Sequence, residues 1–170
     1  MKAAVQKSEC LSPVIRHPVD EDGRNIWRLV KDTGILDLNS AYCYLLLCRH
    51  FRNTCRVAAI NGEIAGFVTA YKVPADEATL FIWQAGVAEN ARKRGLAKKL
   101  VLELLDSNDC NNTNRVQATV SPSNTASLAL FRSLARDLNA GLEQTEFFVP
   151  ALFPAGHRHE KEMLITVGQF

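Results

Sequence analysis

Apolar residues recur along the chain at two spacings, and the spacing sorts the segments into helices and strands. Ile26, Trp27 and Val30 share one side of a helical wheel behind Asp20 and Asp22, which offer caps. This predicts a helix to about Asp32, ended by Thr33-Gly34. A second helix is expected from Asn39 or Ser40, with Ala41, Tyr44, Leu45, Cys48 and Phe51 at helical spacing. The clearest stripe, Leu96, Leu100, Val101, Leu104 and Leu105, lies on residues 95–106, with Lys98, Lys99 and Glu103 facing out. Ser121-Pro122-Ser123-Asn124 caps a last helix reaching about Leu138.

Strand-like runs occupy residues 14–17, 55–60, 64–73, 79–87, 115–120, 142–148 and 162–167. Asn61-Gly62 joins two of them by the strongest short hairpin signal, because a type I′ turn needs positive φ at both positions. A loop is expected at 74–78. The apolar run at 79–87 predicts a central strand covered on both faces. The order is β-α-α-β-β-β-α-β-α-β-β, which predicts an α/β or α+β layer with a mixed sheet.

Composition narrows the class. The chain has 170 residues, 47% hydrophobic and 22% charged, enough for one domain with its own core. That domain is expected at 12–170, behind a loose tail at 1–11. The net charge of +2 is too weak to argue for nucleic acid or an anionic membrane. Five cysteines, Cys10, Cys43, Cys48, Cys55 and Cys110, include no CxxC pair, which argues against zinc and disulfides and suits a reducing compartment. No apolar run marks a signal peptide or a membrane span, so a cytoplasmic protein is expected.

Candidate chemistry begins at Arg92-Lys93-Arg94-Gly95-Leu96-Ala97, between a central strand and a long helix. Basic residues are electrostatically misplaced at a helix N-terminus, which already carries about half a positive charge. Arg92, Lys93, Arg94, Lys98 and Lys99 crowd there nonetheless. An anion held by the free backbone amides would relieve the repulsion, and Gly95 and Ala97 would let a pyrophosphate approach closely. The alternative is a solvated basic face with a glycine that eases the turn.

The spacing Arg92-x-x-Gly95-x-Ala97 resembles the acyl-CoA signature of the GCN5-related N-acetyltransferases, and the flanking strands and Asn124 fit that family. The resemblance covers roughly 14–168. It implies a mixed, mostly antiparallel twisted sheet flanked by helices, with acyl-CoA held at a splay between two central parallel strands. It further implies that the backbone of Arg92, Lys93, Arg94, Gly95, Leu96 and Ala97 cradles the pyrophosphate of acetyl-CoA. The backbone from Ala85 to Val87 would pair with the pantetheine arm, and Asn124 would meet the pantetheine or thiol region. Many family members place a tyrosine seven residues after that asparagine as the acid for the leaving thiolate. Here the position is Phe131, which has no proton to give.

A closer resemblance, spread over the chain, is to the diaminobutyrate acetyltransferases within that family. It rests on residues 36–48, on Gly66-Phe67-Val68-Thr69-Ala70-Tyr71, Phe81-Ile82-Trp83-Gln84 and Thr119-Val120-Ser121-Pro122-Ser123-Asn124, and on the tail with Leu152, Phe153, Gly156, His157, His159 and Glu160. It implies acetylation of the 4-amino group of L-2,4-diaminobutyrate in ectoine synthesis, without a metal. Such a substrate carries two amines and one carboxylate, and a pocket must pair each charge.

Asp37 is a candidate partner for an ammonium. Tyr42 and Tyr44 are two apart on a helix and cannot share a face, and Tyr42 is the preferred pocket residue. Trp83 either walls the pocket or packs in the core. His159 is favoured over His157 on resemblance. Asp37 and Glu160 act as base or bind the ammonium, while either the thiolate leaves unassisted or Tyr42, His159 or water supplies the acid that Phe131 lacks. Arg16 or Arg52 pairs the substrate carboxylate. Val87 N–H is the expected oxyanion donor. A homodimer is expected from the Leu-rich second helix and the C-terminal strands. Two other classes stay open. A non-catalytic acyl-CoA sensor would bind without turnover, and a nucleic-acid module on the basic helix would bind with steep salt dependence.

Overall fold

The computed structural model describes residues 12–154 and 159–170. The expected tail at 1–11, Cys10 and His157 lie outside the described residues. Seven strands form one sheet: β1 (Val14–Arg16), β2 (Arg56–Ile60), β3 (Glu63–Val73), β4 (Asp76–Val87), β5 (Arg115–Val120), β6 (Gly141–Phe148) and β7 (Glu162–Gly168). Four helices flank it: α1 (Asp22–Thr33), α2 (Ala41–His50), α3 (Leu96–Leu105) and α4 (Thr125–Asp137). The order across the sheet is β1-β2-β3-β4-β5-β7-β6. β4 and β5 pair in parallel and every other neighbouring pair is antiparallel.

Each face of the sheet buries the apolar stripe of its own helices. Leu96, Leu100, Val101 and Leu104 of α3, with Phe131 and Leu134 of α4, pack on Val68, Leu80, Ile82, Val116 and Ile165. Ile26, Leu29 and Val30 of α1, with Tyr44, Leu47 and Cys48 of α2, pack on Val57 and Phe67. No helix among the described residues is long and apolar enough to cross a membrane.

Local chemistry explains where elements begin and end. Ser40 caps α2 by accepting from Cys43 N–H, and Asn124 caps α4 by accepting from Ser127 N–H at 3.0 Å. Asn61 and Gly62 both take positive φ in the β2–β3 turn.

Two expectations are corrected. Asp20 and Asp22 do not cap α1. Asp22 is its first residue, buried, and its carboxylate accepts from Arg16 at 2.6 and 3.0 Å and from Val19 N–H, while Asp20 pairs with Arg49. The loop expected at 74–78 is shorter, because Val73 already pairs with Asp76. The Asp76 carboxylate accepts from Ala78 N–H and the Thr79 hydroxyl and so tightens the start of β4. β7 inserts between β5 and β6, a placement that sequence order conceals.

Candidate active site

β4 and β5 are in register only at Thr79–Phe81 against Arg115–Gln117. Beyond those three pairs they part, although β4 runs on to Val87 and β5 to Val120. The backbone of β4 is left with unpaired groups along that opening. Ala88 N–H donates to Ala65 across the β3 side at 2.8 Å. By the alternation of an antiparallel ladder, Val87 and Ala85 turn their N–H and C=O groups the other way, into the splay. The Val87 carbonyl accepts from Arg92 Nε at 3.2 Å, in keeping with that direction.

The basic loop follows directly. Lys93 and Gly95 take positive φ, 61° and 71°, which turns the chain sharply into α3. Gly95 is the N-cap and has no side chain to cap the helix. The first helical hydrogen bond is Lys99 N–H to the Gly95 carbonyl, so the amides of Leu96, Ala97 and Lys98 precede it. These donors and the surrounding cations make an anion site. Lys98 also pairs with Asp137 of α4 at 2.6 Å.

On the other side of the splay is a cavity of about 350 Å³. Ile35, Leu36 and Asp37 come to it from the loop between α1 and α2, and Trp83 and Gln84 from β4. Thr119, Val120, Ser121 and Asn124 come from the end of β5 and the start of α4, and His159, Glu160 and Glu162 from the entry to β7. Trp83 reaches the cavity through a bulge. Thr69 pairs with Gln84 and Ala70 with Ile82, leaving Trp83 without a partner on β3. Trp83 is 46% exposed and meets Tyr71 edge-on, so it is a wall and not a packed core residue, and only the N-terminal part of β4 is covered on both faces.

His159 lies at the centre of the acidic groups. Its ring stacks on Phe153 at 3.7 Å, and Nδ1 lies 2.9 Å from the Glu160 carbonyl. A carbonyl only accepts, so Nδ1 carries the proton in that bond and Nε2 is the other ring nitrogen, 3.9 Å from Asp37. Glu162 is 3.9 Å from Nδ1. The Glu160 carboxylate accepts from Ser123 N–H at 3.2 Å and so braces the turn before Asn124.

Glu162 is one cavity residue that sequence reasoning missed. Its side chain is well enclosed, and burial pushes its carboxyl above the ordinary value, helped by the nearby Asp37 and Glu160 charges and opposed by His159. At the mouth of a strand it reads as an ordinary polar boundary. Only the insertion of β7 beside β5 brings it to the cavity.

Two expected groups fall elsewhere. Tyr42 is 67% exposed and is not among the residues lining the cavity, whereas Tyr44 is fully buried and donates to Gln84 Oε1 at 3.0 Å. Two positions along a helix turn the side chain by some 200°, and burial of α2 claimed Tyr44. Arg16 is held by Asp22, and neither Arg16 nor Arg52 lines the cavity. Phe131 is buried in the core, as an apolar ring should be. The described cysteines are free, and burial pushes the Cys48 and Cys55 thiols up to about 12, which makes them packing residues and not nucleophiles. No group of three or more His, Cys, Asp or Glu among the described residues can hold a metal ion.

Comparison with known proteins agrees with this geometry. Residues 24–135 match the acetyltransferase (GNAT) family. An L-2,4-diaminobutyric acid acetyltransferase of Halalkalibacterium halodurans is 46% identical over 91% of this chain and 80% of its own. One from Marinococcus halophilus is 43% identical over 94% and 91%. Among solved structures, the diaminobutyrate acetyltransferase EctA from Paenibacillus lautus, in complex with L-2,4-diaminobutyric acid and coenzyme A, superposes with a TM-score of 0.90. It is 40% identical, over 93% of this chain and 95% of that one. A chain of the NatC complex bound to Gag peptide and CoA shares 16% identity at a TM-score of 0.72 over 94% and 99%, a likeness of fold. The splay, the anion loop and these relatives lead to one assignment: the chain belongs to the acetyltransferase (GNAT) family, alongside the L-2,4-diaminobutyric acid acetyltransferases.

Proposed function

We propose that the protein transfers the acetyl group of acetyl-CoA to the 4-amino group of L-2,4-diaminobutyrate, giving the N4-acetyl product and CoA in the synthesis of the compatible solute ectoine. The observation that carries this is a segregation of charge about the splay. Amides and cations at 92–99 suit a pyrophosphate, and a cavity with Asp37, Glu160 and Glu162 suits a diamine.

Acetyl-CoA would lay its pyrophosphate on the amides of residues 92–97 and its pantetheine along Ala85 and Val87. Asn124 spends Oδ1 on its cap, which leaves its side-chain NH2 to meet the pantetheine. Asp37 and Glu160 pair the substrate's ammonium groups. Trp83 walls the cavity, and its indole N–H, with the Thr119 and Ser121 hydroxyls, serves the carboxylate in place of an arginine.

An alkylammonium cannot attack a thioester until it loses a proton. Glu162, whose enclosure raises its proton affinity, takes that proton, with His159 beside it. The freed amine attacks the carbonyl, and the oxyanion is met by Val87 N–H. As the C–S bond breaks, the second amine proton passes through water to the departing thiolate, since Phe131 offers none. Tyr42 has no step here.

We further infer a cytoplasmic homodimer. The association is supported by the exposed Phe147, Phe148 and Val149 at the end of β6 and by Leu45 and Leu46 on α2. Light scattering tests the dimer, and a monomer at micromolar concentration would refute it. The catalytic reading is tested by thiol release from acetyl-CoA with L-2,4-diaminobutyrate, ornithine, lysine and spermidine. Release fastest with diaminobutyrate is expected. Faster release with another amine would overturn the substrate, and binding of acetyl-CoA without release would make the protein a sensor.

A further inference from the structure

Residues 34–40, between α1 and α2, carry Asp37 to the cavity without regular structure of their own. Gly34 ends α1 in the left-handed region and Ser40 caps α2. Between these ends, among the described residues, the backbone makes two hydrogen bonds, and both lead to one pair of side chains. Gln84 Nε2 donates to the Asp37 carbonyl at 2.7 Å, and Asn39 N–H donates to Tyr44 Oη at 3.4 Å. Tyr44 Oη donates in turn to Gln84 Oε1 at 3.0 Å.

The direction of this chain is forced. The Asp37 carbonyl can only accept, so the amide of Gln84 must present Nε2 to it and Oε1 to Tyr44. Tyr44 must then spend its single proton on Gln84, which leaves its lone pairs for Asn39 N–H. One phenol and one amide thereby satisfy both backbone groups, a donor facing an acceptor in each of the three bonds.

Neither end of this connection can drift. Tyr44 is fully buried between α1, α2 and the sheet, so its hydroxyl is held by core packing. Gln84 is in β4, where its carbonyl accepts from the Thr69 hydroxyl at 3.3 Å. It follows the bulge at Trp83 and precedes Ala85 and Val87, the residues that face the splay. The Asp37 side chain is itself 93% exposed and has no fixed partner closer than His159 at 3.9 Å. Its position is therefore set by its backbone.

We propose that Tyr44 and Gln84 are positioning residues for substrate selection: together they latch the Asp37 loop to β4 and set the distance between the ammonium-binding carboxylate and the acetyl group. This rests on the reading that Asp37 binds the substrate ammonium. Tyr44 does not line the cavity, Gln84 lines it beside Asp37, and the effect of both passes through Asp37.

The test is a set of steady-state measurements on Tyr44→Phe, Gln84→Met, Asp37→Asn and the Tyr44→Phe/Asp37→Asn pair, with the KM of diaminobutyrate and of acetyl-CoA determined separately. Loss of one hydrogen bond from the latch is expected to raise the diaminobutyrate KM by about 3- to 10-fold and leave the acetyl-CoA KM within about twofold. In the Asp37→Asn background, Tyr44→Phe should add less than about twofold, because residues acting through one another are not additive. Should Tyr44→Phe fold poorly, Gln84→Met, made alone and with Asp37→Asn, carries the same comparison, and non-additivity separates an effect through Asp37 from direct contact with the substrate.

Equal rises in both KM values, or an undiminished effect of Tyr44→Phe in the Asp37→Asn background, would overturn the latch and leave the binding role of Asp37 standing. An unchanged diaminobutyrate KM in Asp37→Asn would overturn both, and it would do so on Asp37 itself.

Discussion

Three carboxylates line the cavity with His159, and their neighbours distinguish them. The Glu160 carboxylate is engaged by Ser123 N–H and Asp37 stands in solvent, while Glu162 is enclosed. Burial disfavours its charged form, so it holds a proton more tightly than an ordinary glutamate, whose reference value is 4.5. Glu162 must be ionised to accept a proton from the substrate, so the rate of acetyl transfer should fall as pH drops through that raised value. Glu162→Gln should lower kcat/KM for diaminobutyrate on the order of 100-fold and remove this acid limb from the pH profile. An unchanged limb would take the base role from Glu162.

The same shift has a stability sign. The folded state binds this proton more tightly than the unfolded chain, so its contribution is fully present at pH values below the unfolded value. It is lost as pH rises through the folded one. Thermal melts of wild type should show this loss on the alkaline side of pH 4.5, and Glu162→Gln should not.

Elements, more than single side chains, set the two halves of the site. Gly95 takes φ 71° with open space where a Cβ would point, so Gly95→Ala meets no clash and suffers only backbone strain. It should cost about 1 kcal/mol of stability and raise the KM of acetyl-CoA while sparing that of the amine. Gly86 is the contrasting case. A Cβ there would lie 2.5 Å from Phe67 Cε1 and 3.2 Å from Leu36 Cδ1. Gly86→Ala should cost about 1–3 kcal/mol by overpacking and disturb the Asp37 loop through Leu36, which urea melts and the amine KM would detect.

The strands, the helices and the basic loop were legible in the chain because local rules govern them: the α3 stripe, Asn61-Gly62, and cations ahead of Gly95. The order of β6 and β7 was not, since pairing across a sheet depends on long-range packing. Glu162 was hidden for the same reason. Gln84 was hidden because the bulge that turns both Trp83 and Gln84 to the cavity leaves no mark in an apolar run. Tyr44 fits the apolar stripe of α2 and is core as that stripe suggests, but its hydrogen bond to Gln84 has no signature in the spacing, and neither it nor the exposed Tyr42 lines the cavity.

On the scale of the whole molecule, the parallel pair β4–β5 in an otherwise antiparallel sheet produces the opening. Two strands that share only three pairs must part, and the parting exposes backbone groups that a pantetheine arm can satisfy as an added strand. α3 begins on one side of that parting with an anion site. The acidic cavity, assembled from the α1–α2 loop, β4, β5, α4 and β7, lies on the other. The net charge of +2 conceals this division, because it reports only the excess of the loop's cations over the cavity's carboxylates. An enzyme built this way brings an anionic donor and a cationic acceptor to one thioester from opposite sides.

The central claim is that this cavity delivers the 4-amino group of L-2,4-diaminobutyrate to the acetyl carbonyl. NMR of the product formed from carbonyl-labelled acetyl-CoA and L-2,4-diaminobutyrate tests it most directly, through the coupling of the labelled carbonyl to the neighbouring amide proton and side chain. A single product with the label on N4 is predicted. A product acetylated on N2, or a mixture of the two, would contradict the placement of the substrate between Asp37, Glu162 and the splay.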